Sequence, residues 1–245
     1  MPDPGDELIS RVVGGADRTW FYWSGRESVR DLERTIGIAG RALDSFEGIL
    51  DFGCGCGRML LWMEELGRNR KLHGTDIDAD AIDWCRHHVP HAEVTVNHAD
   101  PPLPYPARSF DLVFSHSVFT HLDEQRQDAW LSELQRVTRP GALLVLSTHG
   151  EVDLGDDAWG IRERLEGQGI AFIDNVFGSW YPLPHWYQRT HHAPWYVFEH
   201  WGRWFKISAY LPGAAVGGQD QILLERPADN AAPLRPLTAR PRRLT

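Results

Sequence analysis

The chain has 245 residues, of which 42% are hydrophobic and 24% charged, and its formal net charge is −9. This length and composition fit one globular domain with a large core, and the negative charge argues against DNA or RNA as substrate, since nucleic-acid binding relies on basic surfaces. Only three cysteines, a polar N-terminus and no long apolar run favour a cytoplasmic protein. We expect no nucleic-acid or membrane partner. The oligomeric state stays open, with a homodimer as one option.

Strands and helices are predicted to alternate along the first 148 residues. Apolar residues at helical spacing predict helices, which lie at 26–46, 58–67, 79–88 and 124–138. Short apolar or alternating runs predict strands, which lie at 48–52, 71–77, 93–100, 110–117 and 142–148. Such alternation predicts an α/β, Rossmann-like, mostly parallel sheet with right-handed crossovers and helices on both faces.

The pattern changes after the fifth predicted strand. Residues 151–204 contain 12 of the 27 Phe, Trp and Tyr residues, which predicts an aromatic-rich, cap-like insertion. Two later β runs, joined by GAAVGGQ, predict a C-terminal antiparallel hairpin that brings the sheet to seven strands. We expect residues 1–226 to form a single domain and residues 227–245 to form a flexible tail.

The segment DFGCGCGR at 51–58 follows the first predicted strand. The dinucleotide pattern Gly-x-Gly-x-x-Gly needs a glycine where the chain has Arg58 or Leu60, so a nicotinamide oxidoreductase is disfavoured. Glycines allow a sharp turn and close ligand approach, and free N–H groups at a helix start favour a carboxylate. Asp51 can hold an ammonium group. The segment therefore predicts a ligand that carries both an α-amino group and a carboxylate.

Two cysteines, Cys54 and Cys56, stand between these glycines. Structural zinc usually takes four ligands, and no second pair lies nearby. We therefore expect no metal here and interpret both cysteines as small packing residues.

Four segments in this order resemble the class I S-adenosylmethionine-dependent methyltransferases, most closely the small-molecule branch called methyltransferase type 11. They are DFGCGCG, HGTDID, NHADPPLPYPARSFD and RVTRPGALLVLS, and the resemblance covers roughly residues 26–148. It implies methyl transfer from S-adenosylmethionine to a small acceptor, a natural-product or sugar-type metabolite, with S-adenosylhomocysteine as product. The alternative is a protein that binds either compound without methylating, as a regulator, a scaffold or a catalyst of another rearrangement.

The resemblance also implies how the cofactor is held. Asp76 would bind the ribose hydroxyls, Asp100 the adenine amine and Arg26 the methionine carboxylate. The alternatives are ordinary roles, with Asp76 as a helix cap, Asp100 as a turn residue and Arg26 as a surface arginine. The complete expected cofactor set is Arg26, Asp51, Gly53, Cys54, Gly55, Gly57, Asp76, Ile77, Asp100 and Ser115.

Histidines near the ends of the fourth and fifth strands are candidates for a catalytic base, because a parallel sheet presents its ligand cleft there. His149 is the first choice, followed by His116 and His192; the alternatives are simple packing and a metal-binding cluster. The pair Gln219-Asp220, just before the last predicted strand, matches the same branch and is either structural or directed to the cleft. Aromatic residues of the insertion are expected to wall the acceptor, namely Trp180, Tyr181, Trp186 and Tyr187.

Overall fold

The structure is a computed structural model that describes residues 1–151, 154, 160–173 and 184–229. Its helices are α1 (Asp6–Val13), α2 (Arg18–Ile38), α3 (Glu64–Asn69), α4 (Ala79–His88), α5 (Glu124–Val137), α6 (Ile161–Gln168) and α7 (Pro194–His200). Its strands are β1 (Gly48–Phe52), β2 (Lys71–Asp76), β3 (Glu93–Val96), β4 (Phe110–Ser115), β5 (Thr138–Thr148), β6 (Ile170–Ile173), β7 (Arg189–His192), β8 (Lys206–Ala215) and β9 (Gln219–Glu225).

Seven of these strands form one sheet in the order β3-β2-β1-β4-β5-β9-β8. The first five run parallel, whereas β9 is antiparallel to both β5 and β8. The predicted Rossmann-like sheet with its C-terminal hairpin is therefore confirmed. The strand order reverses between β1 and β4, and in open α/β sheets the ligand crevice lies outside the carboxyl ends of the strands at this point.

Helices cover both faces of the sheet, so the inner strand β1 is buried along its whole length. Its successive side chains point to opposite faces. Ile49 belongs to the cluster that contains Leu32 of α2, and Leu50 belongs to the cluster that contains Trp130 of α5 and Trp201. Burial of each such side chain stabilises the fold by roughly 1.5–3 kcal/mol.

The long helix α2 is shifted from its predicted range of 26–46. It begins at Arg18 because the Asp17 side chain caps it, accepting from the backbone N–H of Trp20 at 2.9 Å. The preceding helix α1 was not predicted. The segment predicted as one helix at 58–67 instead forms a 3-10 turn, Leu60–Trp62, followed by the six-residue α3.

The fifth strand begins earlier than predicted, at Thr138 rather than at residue 142. Pro140 and Gly141 lie within β5, although neither residue is common inside a strand. A bulge accommodates them, because Thr138 pairs with Phe110 and the pairing resumes only at Leu143, opposite Leu112.

In the described part of the aromatic insertion, β6 and β7 form a separate antiparallel pair that was not predicted. An isolated bridge between His149 and His191 joins β7 to the end of β5, which brings the insertion to the carboxyl edge of the main sheet. No helix among the described residues is long and apolar enough to span a membrane. The predicted domain boundary and tail stay predictions, and most of that tail, from residue 230, lies outside the described residues.

Candidate active site

A cavity of about 360 Å³ opens at the carboxyl ends of β1, β2, β4 and β5, and the start of β9 borders it. Helix α1 contributes Arg11, Val12 and Val13 to its lining. The volume lies within the range of small-molecule sites. The cavity therefore occupies the edge at which the strand order predicts a ligand.

The glycine loop after β1 forms one wall of the cavity and is closely packed. Gly53 and Gly55 both have positive φ, at 83° and 53°, a conformation that other residues rarely adopt. A Cβ atom on Gly53 would lie 2.2 Å from Val118 Cγ2, and one on Gly55 would lie 2.7 Å from Val12 Cγ2. Larger residues at these two positions would therefore displace the neighbouring segments. Gly57 packs beside Cys85 and does not line the cavity.

Asp76 lies at the end of β2 and lines the same cavity. Its carboxylate accepts from the backbone N–H groups of Gly55, at 2.7 Å, and Asp78, at 2.9 Å. Burial raises the pKa of this carboxyl group. Two backbone donors leave lone pairs for further donors, so the position suits a diol, as predicted for the ribose.

Asp51 and Arg58 place a carboxyl group and a guanidinium group in the cavity wall. Burial, reinforced by the charge of Asp76 and opposed by Arg58, raises the pKa of Asp51 to about 8. Burial lowers the pKa of Arg58 to about 10, and this guanidinium donates to Ser28 Oγ at 3.1 Å. An acid and a base in one wall suit the ammonium and carboxylate groups of an amino acid.

The structure places Arg26, the arginine predicted for the carboxylate, away from the cavity lining. Its side chain is 44% exposed and pairs with Glu27 at 3.1 Å, because residue 26 lies within α2 on its solvent side. Arg58, in contrast, lines the cavity together with Asp51. Arg58 directly follows the glycine motif in the sequence, and this position was the signal that could have identified it as a site residue.

The remaining predicted cofactor residues divide into two groups. Cys54 and Ile77 line the cavity, together with Asn97 and Ala99. Asp100 does not, since its side chain is 73% exposed with its nearest opposite charge on Arg126, 3.9 Å away. Ser115 is buried outside the lining, and its hydroxyl has no hydrogen-bond partner among the described residues.

His116 and His149 reach the cavity, as predicted. His149 is 8% exposed, and its ring stacks on His191 with centroids 5.1 Å apart. Burial, together with the charge of Arg58 and the nearby His149, lowers the pKa of His116 well below its ordinary value. His116 is therefore neutral near pH 7 and a weak proton acceptor.

The structure does not bring His192 to the cavity. Its side chain is fully buried, and Nε2 lies 3.0 Å from Gln127 Oε1. Burial lowers its pKa to about 3. Its backbone N–H donates to the carbonyl of His149 at 2.8 Å, so His192 supports the position of His149 and does not face the ligand.

Aromatic rings wall the opposite side of the cavity. Trp186 and Tyr187 line it, and Tyr187 stacks on His121 with centroids 4.1 Å apart and planes at 17°. The predicted Trp180 and Tyr181 lie outside the described residues. His121 also lines the cavity but was not among the predicted site residues; it follows β4 closely, as His116 does, which was the only sequence clue.

The three cysteines are buried and form no disulfide. Across the ranges described, no group of three or more His, Cys, Asp or Glu side chains is arranged to hold a metal ion.

Residues 49–141 match a family model described as a methyltransferase domain. The malonyl-[acyl-carrier protein] O-methyltransferase of Hahella chejuensis is 34% identical over 103 residues, which are 42% of this chain and 36% of that protein. The fatty-acid O-methyltransferase of Mycolicibacterium smegmatis is 34% identical over 95 residues, 38% of this chain and 34% of that protein. The chain thus spans about a third of the length of these two relatives.

Among solved structures, a SAM-dependent methyltransferase from Aquifex aeolicus aligns with a TM-score of 0.51 and 14% identity. The alignment covers 92% of this chain and 100% of that one, and at this identity it shows a shared fold alone. The family model, the named relatives and the fold agree with the four sequence segments. Residues 49–141 are thus a methyltransferase domain, and the sheet shares the fold of S-adenosylmethionine-dependent methyltransferases, whose cofactor is S-adenosylmethionine.

Proposed function

We propose that this protein transfers a methyl group from S-adenosylmethionine to an oxygen atom of a small metabolite of the natural-product or sugar type. One observation carries the proposal: a single cavity joins a charged glycine-loop end to an end walled by imidazole and aromatic rings. The names of two relatives, both O-methyltransferases, support oxygen as the acceptor atom.

The residues at the glycine-loop end fit the cofactor. The loop approaches its neighbours so closely that a Cβ atom on Gly53 or Gly55 has no room. Asp76 would hold the ribose hydroxyls, Asp51 the ammonium group and Arg58 the carboxylate. When bound, the cofactor supplies a methyl group that its sulfonium already activates.

The protein's own contribution is then alignment and exclusion of water. Trp186 and Tyr187 would hold the acceptor against the ends of β4 and β5. For a hydroxyl acceptor, His149 would take the proton, since it lines the cavity and its carbonyl is fixed by the N–H of His192. His116, a weaker proton acceptor, would orient the acceptor by a hydrogen bond.

Calorimetric titration with S-adenosylmethionine tests the cofactor site. Asp76→Ala should weaken binding at least about tenfold, because it removes hydrogen bonds to a charged group. Asp83→Asn, on the exposed face of α4, is the matched control and should bind like the natural protein. No binding by the natural protein near millimolar cofactor would refute the proposed site.

Mass spectrometry tests the transfer itself. The protein is incubated with the cofactor and a panel of hydroxylated and carboxylated metabolites, and each acceptor is examined for the mass gain of one methyl substitution. Formation of S-adenosylhomocysteine together with a methylated product is expected. Tight cofactor binding without product across the panel would instead favour the non-methylating alternative.

A further inference from the structure

We infer that Gln219 determines acceptor specificity by donating a hydrogen bond to the acceptor oxygen of a flat, uncharged hydroxyl compound. This inference rests on the proposed function and names the acceptor class and the residue that recognises it. Gln219 is the first residue of β9 and lines the cavity beside the ends of β4 and β5. It can reach them because β9 runs antiparallel to its neighbour β5.

A closed set of hydrogen bonds holds the Gln219 side chain. The backbone N–H of Ser117 donates to Ser147 Oγ at 2.7 Å, and Ser147 Oγ lies 2.7 Å from Gln219 Oε1. Gln219 Nε2 lies 2.9 Å from Ser117 Oγ, which lies 3.2 Å from Thr120 Oγ1. The amide group is therefore fixed between two strand ends, with little freedom to rotate.

The direction of each bond in this set follows from the hydrogen-bonding roles of its atoms. A backbone N–H can only donate and an amide oxygen can only accept, so Ser147 Oγ accepts from Ser117 and donates its own hydrogen to Gln219 Oε1. The amide nitrogen then faces Ser117 Oγ and donates to it. Ser117 Oγ–H remains free to donate to Thr120.

One amide hydrogen of Gln219 is left over. A primary amide has two N–H hydrogens, and the set uses one of them; within the described ranges the second has no partner. The side chain is 7% exposed and borders the cavity. A fixed, nearly buried donor without a partner strongly favours a ligand that can accept its hydrogen bond over a ligand that cannot.

The backbone of Ser117 supports the same conclusion. Its φ is 65°, in the left-handed region that non-glycine residues adopt at a cost. The bonds to Ser147 and Gln219 hold it there, directly after His116. Such strain is concentrated where side chains must be held in a defined position toward a ligand.

The neighbouring rings define the shape of the acceptor. Tyr187 and His121 lie nearly parallel to each other, which presents a flat surface for ring stacking. Burial lowers the pKa of His121 to about 3, so this pair carries no charge near pH 7. A planar hydroxyl compound could stack on this surface and accept from Gln219 through its oxygen.

A double-mutant cycle tests the inference, in which one change is made in the protein and the other in the ligand. Phenol and toluene, which differ in one polar group, are titrated by NMR into the protein saturated with S-adenosylhomocysteine. The replacement Gln219→Leu should weaken the binding of phenol relative to that of toluene by about three- to tenfold, which is the size of one neutral hydrogen bond. Gln219→Glu, which keeps the acceptor for Ser147, should shift the ratio of the two dissociation constants in the same direction if the leucine variant does not fold.

Two controls separate recognition from scaffolding. Gln221→Leu makes the same change two residues further along β9, outside the cavity lining, and should leave the ratio unchanged. Ser147→Ala loosens the hydrogen-bond set but keeps the amide donor, and should retain most of the discrimination. An unchanged ratio in both Gln219 variants, or an equal loss in Ser147→Ala, would overturn the inference.

The proposed function and this inference fail in different ways. Failure of S-adenosylhomocysteine to bind would refute the proposed cofactor site before any phenol is added. If that product binds normally but the ratio of phenol to toluene affinity is the same in the Gln219 variants as in the natural protein, only the acceptor recognition described above is refuted.

Discussion

Asp51 is a nearly buried carboxyl group whose pKa is raised to about 8 by burial. If its ionised form holds the cofactor's ammonium group, binding below pH 8 must release its proton. The affinity for S-adenosylmethionine should therefore rise with pH, by at most about tenfold per unit between roughly pH 6 and 8. Calorimetry in buffers of different ionisation enthalpy would measure both the affinity and the released proton. Asp51→Asn should remove the rise, and a flat profile for the natural protein would contradict this role.

Single residues were predictable where a motif fixes them to a strand end. Asp51, Gly53, Gly55 and Asp76 all reach the cavity because each lies close to the carboxyl end of a parallel strand. Arg26 and His192 do not, since their place depends on helix rotation and on packing between distant segments. Periodicity in one sequence does not determine either of these.

Helix α1 covers the glycine loop, and Arg11 holds it there. Arg11 Nη1 donates to both carboxylate oxygens of Asp78, at 3.1 and 3.0 Å, and both side chains are largely buried. Arg11→Gln leaves Asp78 without its cation, so α1 should dissociate from the loop more readily. We expect S-adenosylhomocysteine to leave about three- to tenfold faster, measured by stopped-flow fluorescence, the size of one lost partly buried contact.

The matched control for this change is Arg18→Gln. Arg18 also pairs with acids, Asp3 and Asp6, but its side chain is 45% exposed and does not line the cavity. Exposed ion pairs contribute little, so this variant should release the product at the natural rate. Equal acceleration in both variants would mean that general loosening of the N-terminal region, and not the contact with Asp78, controls release.

Helices were predictable where apolar residues recur at helical spacing over a long segment, and strands were predictable where a short apolar run is fully buried. Helix α4 and strand β1 agree with their predicted ranges. The pair β6–β7 escaped prediction because each strand has only four residues, and β7 contains two consecutive histidines. Such segments are extended because they pair with distant parts of the chain, as in the bridge from His149 to His191. Local propensity does not predict this pairing.

At the scale of the whole molecule, the alternation of strands and helices was sufficient to predict the parallel sheet and its ligand edge. The hydrogen-bond set around Gln219 was beyond prediction, because it joins β4, β5 and β9 across about a hundred residues of chain. That set exists only because the antiparallel β9 places its first residue beside the last residues of its neighbours. The topology thus supplies the acceptor contact, and the glycine motif supplies the cofactor contact.

Buried neutral histidines should make the folded protein sensitive to acid. Burial lowers the pKa of His192 to about 3, against about 6.5 in an unfolded chain. Between these values the unfolded state binds the extra proton, so the free energy of unfolding decreases as the pH falls below about 6.5. The raised pKa of Asp51 acts in the opposite direction, because the folded state holds that proton up to about pH 8.

A variant isolates the contribution of His192 from these opposing effects. His192→Gln keeps an amide donor near Gln127 but cannot titrate, so its free energy of unfolding should fall less steeply with acid than that of the natural protein. The difference in slope is at most about 1.4 kcal/mol per pH unit below roughly pH 6. Urea unfolding at several pH values between about 5 and 7.5 measures it across that window. His87→Gln, on an imidazole whose side chain is 68% exposed, should follow the natural profile; if His192→Gln follows it as well, the histidine is protonated in the folded state and the assignment of its neutral form is wrong.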